Sequence, residues 1–319
     1  MKQKVLLTSA ASKIPALRLL EEAVGKFANT DLLAGDSATQ TVAAHSGFSY
    51  WQMPETTNAN LEAILEGLTV RRVHLVIPTR DSELIFWAEN RKAFEDIGTH
   101  IAISSLRGVQ LCLDKLKFSE WGFSTAQPVI PASLSAEVSW DKIVVKERYG
   151  AGSKGVALNL SASEATKHSG SLTEPIFQPH VEGLEVSIDA WFRSTGVLHG
   201  FVMRTRDLVR NGESQITTTF RDRSLERQAK AVLDRMGWDL GLRGSVVMQG
   251  IVRERKLWVI EVNARLGGAS SASAEVGLDL LFLSVAEVST TEGGIPEFDR
   301  RPFEVRQVRA AVDRRYKLP

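Results

Sequence analysis

The chain has 319 residues, a formal net charge of +1, and 43% hydrophobic against 24% charged residues. This length exceeds one ordinary core and fits two or three domains, while the composition argues against intrinsic disorder. The balanced charge gives no sign of a nucleic acid or an anionic membrane as partner, and the single cysteine, Cys112, excludes an internal disulfide and predicts a small buried side chain.

The first hundred residues alternate predicted strands and helices, which indicates an α/β domain with a small parallel sheet. The strands are KVLLT, VHLVIP and HIAIS, and the helices are residues 14–27 and 81–98, the second capped by Asp81 or Ser82. No GxGxxG motif follows the first strand, which argues against a dinucleotide site. The strand ends near Thr8-Ser9 and Thr79-Arg80-Asp81 are instead expected to shape a ligand crevice.

From about residue 139 the pattern changes to short strands joined by short turns, which predicts an α+β region with antiparallel sheets. The strands are KIVVKE, VALNLS, the extended PIFQPHVEG, EVSIDAWF, VLHGFVMRTR, and a hairpin of GSVVMQGIV with LWVIEVNAR. A helix is predicted over SLERQAKAVLDRMG, closed by Gly237. No apolar run suits a signal peptide or a membrane span, so a cytoplasmic protein is expected.

The last hairpin carries a candidate metal site. Glu261 and Asn263 lie two residues apart, so their side chains leave the same face of the strand. A three-residue turn at residues 254–256 would place Gln249 opposite Glu261. Mg²⁺ favours such oxygen ligands when phosphates complete its shell, and Arg265 follows on the same face, where it could hold a phosphate. The alternative is a polar, solvated strand face.

A glycine-rich loop, KERYGAGSKGV at residues 146–156, separates the first two of these strands, where a two-residue turn would have sufficed. Alone, it also fits a merely mobile hairpin. Together with the segments FQPHVEGLEVSID and MQGIVRERKLWVIEVNARLGG it resembles the ATP-grasp superfamily, in the branch of the carbamoyl phosphate synthetase large subunit and the pyrrolysine-biosynthesis ligase. The segments IPTRDSELIFWAENRKAFEDIGTHIAIS and LDKLKF extend the resemblance over roughly residues 4–290.

The resemblance implies a fold with three parts: a pre-ATP-grasp α/β domain (1–107), a small lobe (108–185) with a glycine-rich lid at about 139–185, and a large lobe with the metal hairpin (186–319). It implies ATP with Mg²⁺, or Mn²⁺ as a substitute, held by Gln249, Glu261 and Asn263. The nucleotide contacts that it implies come from Lys115, Lys146, Gly150, Gly152, Ser153, Gln178, His180, Val181 and Glu185.

Three of these assignments leave alternatives open. Lys115 also fits a solvated helix lysine. Pro179 has no N–H to offer adenine, so the matching donor is the backbone of His180, although His180 also suits a catalytic base. Among the candidate catalytic residues Lys146, Arg265, Arg204 and Arg206, the last two share a strand face. They could bind a carboxylate or an acyl phosphate, or serve only to keep an edge strand soluble.

The expected function is that of an ATP-dependent ligase joining a small carboxylate to an amine through an acyl phosphate, without nucleic acid or membrane; a homodimer stays open. The alternatives are a small-molecule kinase of the same fold and a nucleotide-binding regulatory protein without turnover. The intact set of Glu261 and Asn263 argues against the regulatory alternative, since a degenerate binder would be expected to lose one of them.

Overall fold

The computed structural model describes residues 2–289 and 294–310. Its N-terminal part is a five-stranded parallel sheet in the order β3-β2-β1-β4-β5. The strands are β1 (Gln3–Leu7), β2 (Thr30–Asp36), β3 (Tyr50–Gln52), β4 (Val73–Ile77) and β5 (His100–Ile101). The helices are α1 (Ile14–Val24), α2 (Leu61–Arg71), α3 (Asp81–Glu89), α4 (Arg91–Asp96) and α5 (Leu106–Leu113), with 3₁₀ turns at Ala43–His45 and Asn58–Asn60.

The parallel α/β domain is confirmed, with three corrections. Strands β2 and β3 were not predicted. The predicted helix 81–98 is two helices, because the chain leaves helical geometry at Asn90. Neither Asp81 nor Ser82 caps α3. The cap position is Arg80, and the buried Glu83 carboxylate accepts the N–H groups of Thr79 and Arg80 at 2.9 and 3.0 Å.

Two antiparallel sheets follow, as predicted. A three-stranded sheet in the order β7-β6-β8 comprises β6 (Ile143–Glu147), β7 (Ala157–Leu160) and β8 (Pro175–Pro179), with α6 (Lys115–Ser124) before it and α7 (Ala162–Ser169) within it. A six-stranded sheet has the order β13-β12-β9-β10-β11-β14. Its strands are β9 (Leu184–Phe192), β10 (Leu198–Arg210), β11 (Glu213–Phe220), β12 (Gly244–Arg253), β13 (Lys256–Asn263) and β14 (Arg306–Val308), accompanied by α8 (Arg223–Leu240), α9 (Ser271–Glu275) and α10 (Leu280–Ser289).

One face of the six-stranded sheet packs against the amphipathic helix α8, and the predicted alternation in β9 is confirmed. Helix α8 ends later than expected, with Gly241 at its C-cap at φ +57°. Residue 237 lies inside the helix and not at its end. It is a glycine because a Cβ there would come within 2.4 Å of the Gly196 carbonyl oxygen. This glycine therefore serves a close approach of two backbones.

Helix α10 joins the two large sheets. Leu281 and Val285 pack with α1 and the parallel sheet, whereas Leu280 and Leu283 pack with Trp191 of the six-stranded sheet. A helix that is apolar all round is buried on all sides. In the described part of the chain, no helix has the length and apolar character that crossing a bilayer requires.

The expected division into three units stays a prediction. The parallel sheet lies before residue 108 and the three-stranded sheet between residues 108 and 185, but the six-stranded sheet begins at Leu184, before the expected boundary at 186, and residues 290–293 and 311–319 are outside the described ranges. Cys112, Phe118 and Trp121, assigned there to the small lobe, pack in the core of the six-stranded sheet. Cys112 is buried, as expected, and burial raises the pKa of its thiol to about 12.

Candidate functional site

The hairpin of β12 and β13 pairs Gln249 directly with Glu261, as predicted from the sequence. The predicted three-residue turn is wrong, however. Arg253 pairs with Lys256, so the turn is the two residues Glu254 and Arg255, both at positive φ, and an irregularity between Gln249 and Gly250 restores the expected register. The face that carries Gln249, Glu261 and Asn263 is opposite to the face packed on α8.

Two lysines from the small sheet and its preceding helix meet this face. Lys115 Nζ lies 3.8 Å from Glu261 Oε2 and donates to the Gly150 carbonyl oxygen at 2.6 Å. Lys115 is buried, so the alternative of a solvated helix lysine is wrong. Burial lowers the pKa of Lys146 to about 8. The negative charge of Glu261 raises this pKa, and the positive charge of Lys115 lowers it further. The carboxylate thus has two cations beside it.

The glycine-rich loop is anchored at its start by Asp114, which sequence reasoning missed. The Asp114 carboxylate caps α6, receives two hydrogen bonds from the Arg148 guanidinium at 2.7 and 2.5 Å, and accepts the Tyr149 hydroxyl at 2.8 Å. Burial alone would raise the pKa of Asp114, but these hydrogen bonds have the larger combined effect, and the pKa lies below its ordinary value. The segment entering the loop is therefore fixed to α6.

The tip of the loop contacts a second hairpin. Asn211 and Gly212 form the turn between β10 and β11, both at positive φ, and a Cβ on Gly212 would lie 2.7 Å from the Gly152 carbonyl carbon. Ser153 and Gly155 in the loop also have positive φ. The sequence signal of this hairpin, Asn-Gly between two strand patterns, was missed.

The segment between β8 and β9 corrects the assignment of the adenine donor. The His180 N–H donates to the Lys142 carbonyl oxygen at 2.8 Å and is thus already paired. The buried Gln178 side chain donates to the Ile130 carbonyl oxygen at 3.1 Å. The Val181 N–H, also a predicted contact, has no hydrogen-bond partner within residues 2–289 and 294–310.

Arg204 and Arg206 both have internal acidic partners. The buried Arg204 guanidinium makes two hydrogen bonds to the fully buried Asp189, which also accepts the hydroxyls of Ser270 and Ser273. Arg206 Nε donates to Glu185 Oε2 at 3.1 Å. Strand β10 lies between β9 and β11, so the alternative that these arginines solubilise an edge strand is wrong.

Ser187, which the sequence did not single out, lies between the metal candidates and Arg204. It pairs with Gln249 on one side and Arg204 on the other, and these directly opposite residues share one sheet face. Its hydroxyl is buried and has no hydrogen-bond partner in the described part of the chain. A buried polar atom without a partner suits a site built for a polar ligand.

Arg265 links this face to the parallel sheet. Its Nε and Nη2 donate to the two carboxylate oxygens of Asp81 at 2.7 and 2.6 Å. Asp81 is the first residue of α3, in the crevice region expected from the sequence. The loop after Arg265 is held by Ser270 on Asp189, so the Arg204–Asp189 pair supports the segment that carries Arg265.

Three solved structures share this fold at low identity. They are a biotin carboxylase complex from Campylobacter jejuni (TM-score 0.72, 15% identity, 96% of this chain and 75% of that one), an N5-carboxyaminoimidazole ribonucleotide synthetase from Thermus thermophilus (0.73, 16%, 96% and 82%), and an L-amino acid ligase from Bacillus licheniformis (0.68, 16%, 93% and 78%). No curated protein matches the chain.

The family described as ATP-grasp domain matches residues 112–269. This stretch contains Lys115, Lys146, the glycine-rich loop and the Gln249–Glu261 hairpin. Residues 112–269 of the chain thus match the ATP-grasp domain family, and the chain as a whole shares its fold with the solved structures above.

Proposed function

We propose that the protein is an ATP-dependent ligase that joins a carboxylate to an amine through an acyl phosphate. The observation that carries this proposal is Glu261, paired across the hairpin with Gln249 and placed beside Lys115 and Lys146. The carboxylate and the amide oxygens suit a metal ion, and the two lysines suit phosphate oxygens. The set as a whole therefore suits a triphosphate with its metal ion better than it suits a metal ion alone or a triphosphate alone. Membership in the carbamoyl phosphate synthetase branch, a cytoplasmic location and a homodimer stay predictions.

The nucleotide would lie between the two antiparallel sheets. The free Val181 N–H suits an acceptor on the adenine edge, and Glu185, half exposed, suits the ribose hydroxyls. Lys146 and Lys115 would neutralise phosphate charge. Backbone N–H groups of Gly150, Gly152 and Ser153 would approach phosphate oxygens from the lid, because glycine leaves the backbone uncovered.

Mg²⁺, or Mn²⁺ in its place, would be held by Glu261 with Asn263 and Gln249, and would neutralise the charge that develops on the phosphates. The described residues hold no group of three His, Cys, Asp or Glu that could bind a metal by itself. Moreover, Lys115 and Lys146 already balance Glu261. The donor set therefore fits a metal that arrives with the triphosphate, and not a resident ion.

In the proposed reaction a substrate carboxylate oxygen attacks the γ-phosphorus of ATP, and ADP leaves. The amine then attacks the acyl carbon, a C–N bond forms, the C–O bond to phosphate breaks, and the amine loses a proton. The contribution of this chain is to align the two substrates and to stabilise charge through Lys146 and Arg265.

Three measurements test the proposal. Thermal shift with ATP should show stabilisation that needs Mg²⁺ for its full size. ADP release should require a carboxylate from a matrix of carboxylic and amino acids, and hydroxylamine should intercept the acyl phosphate as a hydroxamate. A phosphorylated stable product without hydroxamate would show a kinase instead. Binding of MgATP without turnover on any substrate would show a regulatory protein, and no stabilisation by any nucleotide would refute nucleotide binding altogether.

A further inference from the structure

The last strand of the six-stranded sheet comes from a part of the chain that follows the stretch matching the ATP-grasp family. That stretch ends at residue 269, whereas β14 spans Arg306–Val308 and pairs with β11. One backbone hydrogen bond continues the pairing past the end of β14, because the Arg309 N–H donates to the Gln215 carbonyl oxygen at 2.8 Å. Residue 309 is thereby fixed beside the beginning of β11, close to the β10–β11 turn.

The Arg309 side chain joins two separate elements of the candidate site. Its Nη1 donates to Glu213 Oε2, directly after the β10–β11 turn, and its Nη2 donates to the Gly268 carbonyl oxygen at 2.7 Å. A guanidinium can hold two acceptors at once because its N–H donors are fixed in one plane. Gly268 belongs to the β13–α9 loop, residues 264–270, which begins directly after the candidate metal strand.

The β13–α9 loop is held from two sides. On the side of the sheet, a Cβ on Gly267 would lie 3.5 Å from Arg204 Nη2, so this part of the loop packs on the buried Arg204–Asp189 pair. On the other side lies β14. The Ser271 hydroxyl at the end of the loop donates to Gln307 Oε1 at 2.7 Å, and Arg309 holds the Gly268 carbonyl. Strand β14 therefore supports the loop that carries Arg265.

The β10–β11 turn is likewise held by two arginines. Arg206 Nη2 donates to the Gly212 carbonyl oxygen at 3.1 Å, and Arg309 holds the adjacent Glu213. The same turn touches the tip of the glycine-rich loop, where a Cβ on Gly212 would lie 2.7 Å from the Gly152 carbonyl carbon. Through Glu213 and Gly268, Arg309 thus connects the support of the glycine-rich loop with the loop that follows the candidate metal strand.

The exposure of the Arg309–Glu213 ion pair indicates that its role is local. The Arg309 side chain is 29% exposed and that of Glu213 60%. Ion pairs this exposed contribute little to the free energy of unfolding. The position of a loop that opens locally, at a free energy below that of global unfolding, is more sensitive to a single contact. The effect of Arg309 should therefore appear in the glycine-rich loop before it appears in global stability.

We infer that Arg309 is a positioning residue of the candidate site. It holds the β10–β11 turn under the tip of the glycine-rich loop and fixes this turn relative to the β13–α9 loop. The inference rests on the proposed function, because the site so positioned is the proposed MgATP site. Arg309 acts on bound nucleotide only through these two elements, and the segment that follows the family match thus completes the site.

Trypsin cleavage after Lys154, an exposed residue of the glycine-rich loop, tests the inference on the nucleotide-free protein. The cleavage rate, followed by mass spectrometry, reports the population in which the loop is open. Arg309→Met should raise this rate about fivefold, the effect of one lost charged contact on a local opening equilibrium. Glu213→Gln should raise it in the same direction. The double variant should be cleaved no faster than Arg309→Met, since both changes remove one contact. The dissociation constant of MgATP, measured by calorimetry, should rise in the same variants.

Arg306→Met is the matched control, because it removes an exposed arginine of the same strand whose Nε donates to Thr218 Oγ1 at 3.0 Å. Its cleavage rate, MgATP affinity and thermal unfolding should equal those of the wild type. A wild-type cleavage rate in Arg309→Met, or an equal rise in Arg306→Met, would overturn the inference. A Tm of Arg309→Met far below that of Arg306→Met, with cleavage throughout the chain, would also overturn it, because Arg309 would then hold the fold and not the loop.

The proposed function fails by a different measurement. If MgATP does not stabilise the wild type, nucleotide binding is refuted. The cleavage comparison is made without nucleotide, so it still decides whether Arg309 holds the glycine-rich loop.

Discussion

Gly152 at the tip of the glycine-rich lid and Gly212 in the β10–β11 turn touch backbone to backbone. A Cβ on Gly212 would lie 2.7 Å from the Gly152 carbonyl carbon and 2.9 Å from its Cα. The Gly212 carbonyl oxygen in turn accepts a hydrogen bond from Arg206, whose other partner is Glu185. The lid tip is therefore connected by three contacts to the residue proposed to bind ribose.

Gly212→Ala should displace the lid and weaken MgATP binding, because the new methyl group would collide with lid backbone that cannot rotate away. The substitution also strains the turn, since Gly212 has a φ of +74°. Gly98→Ala is the matched control: its φ is +79°, and a Cβ there meets nothing within 4 Å. Titration calorimetry on both variants should show weaker MgATP binding only for Gly212→Ala; equal affinities would mean that the contact does not matter.

Glu261→Gln should leave the fold intact and abolish carboxylate-dependent ADP release. The amide keeps the size of the side chain but removes the anionic ligand of the proposed Mg²⁺ site. It also leaves Lys115, 3.8 Å away, without its acidic partner. ADP release is the measurement and thermal unfolding the control for folding. Turnover like that of the wild type would show that Gln249, Glu261 and Asn263 form only a polar strand face and not a metal site.

MgATP affinity should decline as the pH rises through about 8, the pKa to which burial lowers Lys146. Below this pH the ammonium group is charged and attracts phosphate; above it the neutral amine does not. Dissociation constants at pH 7, 8 and 9 test the effect, and Lys146→Met should bind weakly with no such pH dependence. A flat profile for the wild type would show that Lys146 does not face the phosphates.

Lys146→Met should also stabilise the fold at pH 7, by about 1–3 kcal/mol. The folded-state pKa of Lys146 is about 8, against an ordinary value of 10.5. At pH 7 the ammonium group is charged in both states, so burying this charge on folding costs free energy. This cost is fully present below pH 8 and is relieved as the pH rises towards 10.5, where the unfolded chain also loses the proton. Urea unfolding at pH 7 and pH 10 should show a gain that shrinks at the higher pH. A gain independent of pH would point to packing.

Arg204→Met should destabilise the fold by roughly 3–5 kcal/mol, the usual cost of leaving one member of a buried ion pair uncompensated. Asp189 is fully buried and would keep only the two serine hydroxyls as partners. Arg206→Met is the comparison, because its partner Glu185 is half exposed and can be hydrated, so a much smaller loss is expected. Similar losses of unfolding free energy in both variants would contradict the structural role of the Arg204 pair.

The local sequence determined those features that depend on near neighbours. The alternation of β9 decided which residues face α8, and the strand spacing of Glu261 and Asn263 placed them on one face. Even the pairing of Gln249 with Glu261 was predicted correctly. The turn has one residue fewer than expected, but the register irregularity beside Gln249 shifts the pairing by one residue and cancels the difference. The turn residues alone did not indicate this irregularity. The strongest patterns were long, periodic and local.

The partners of the charged residues were decided only by the tertiary structure. Arg265 finds Asp81 184 positions away, and Arg204 meets Asp189 inside the sheet, so neither guanidinium is as free as strand periodicity suggested. Likewise Lys13 and Thr79 meet because β1 and β4 are adjacent in the sheet, 66 positions apart in the chain. Periodicity fixes the face on which a side chain lies, whereas burial and ion pairing depend on which distant segments pack there, and no short stretch of sequence contains that information.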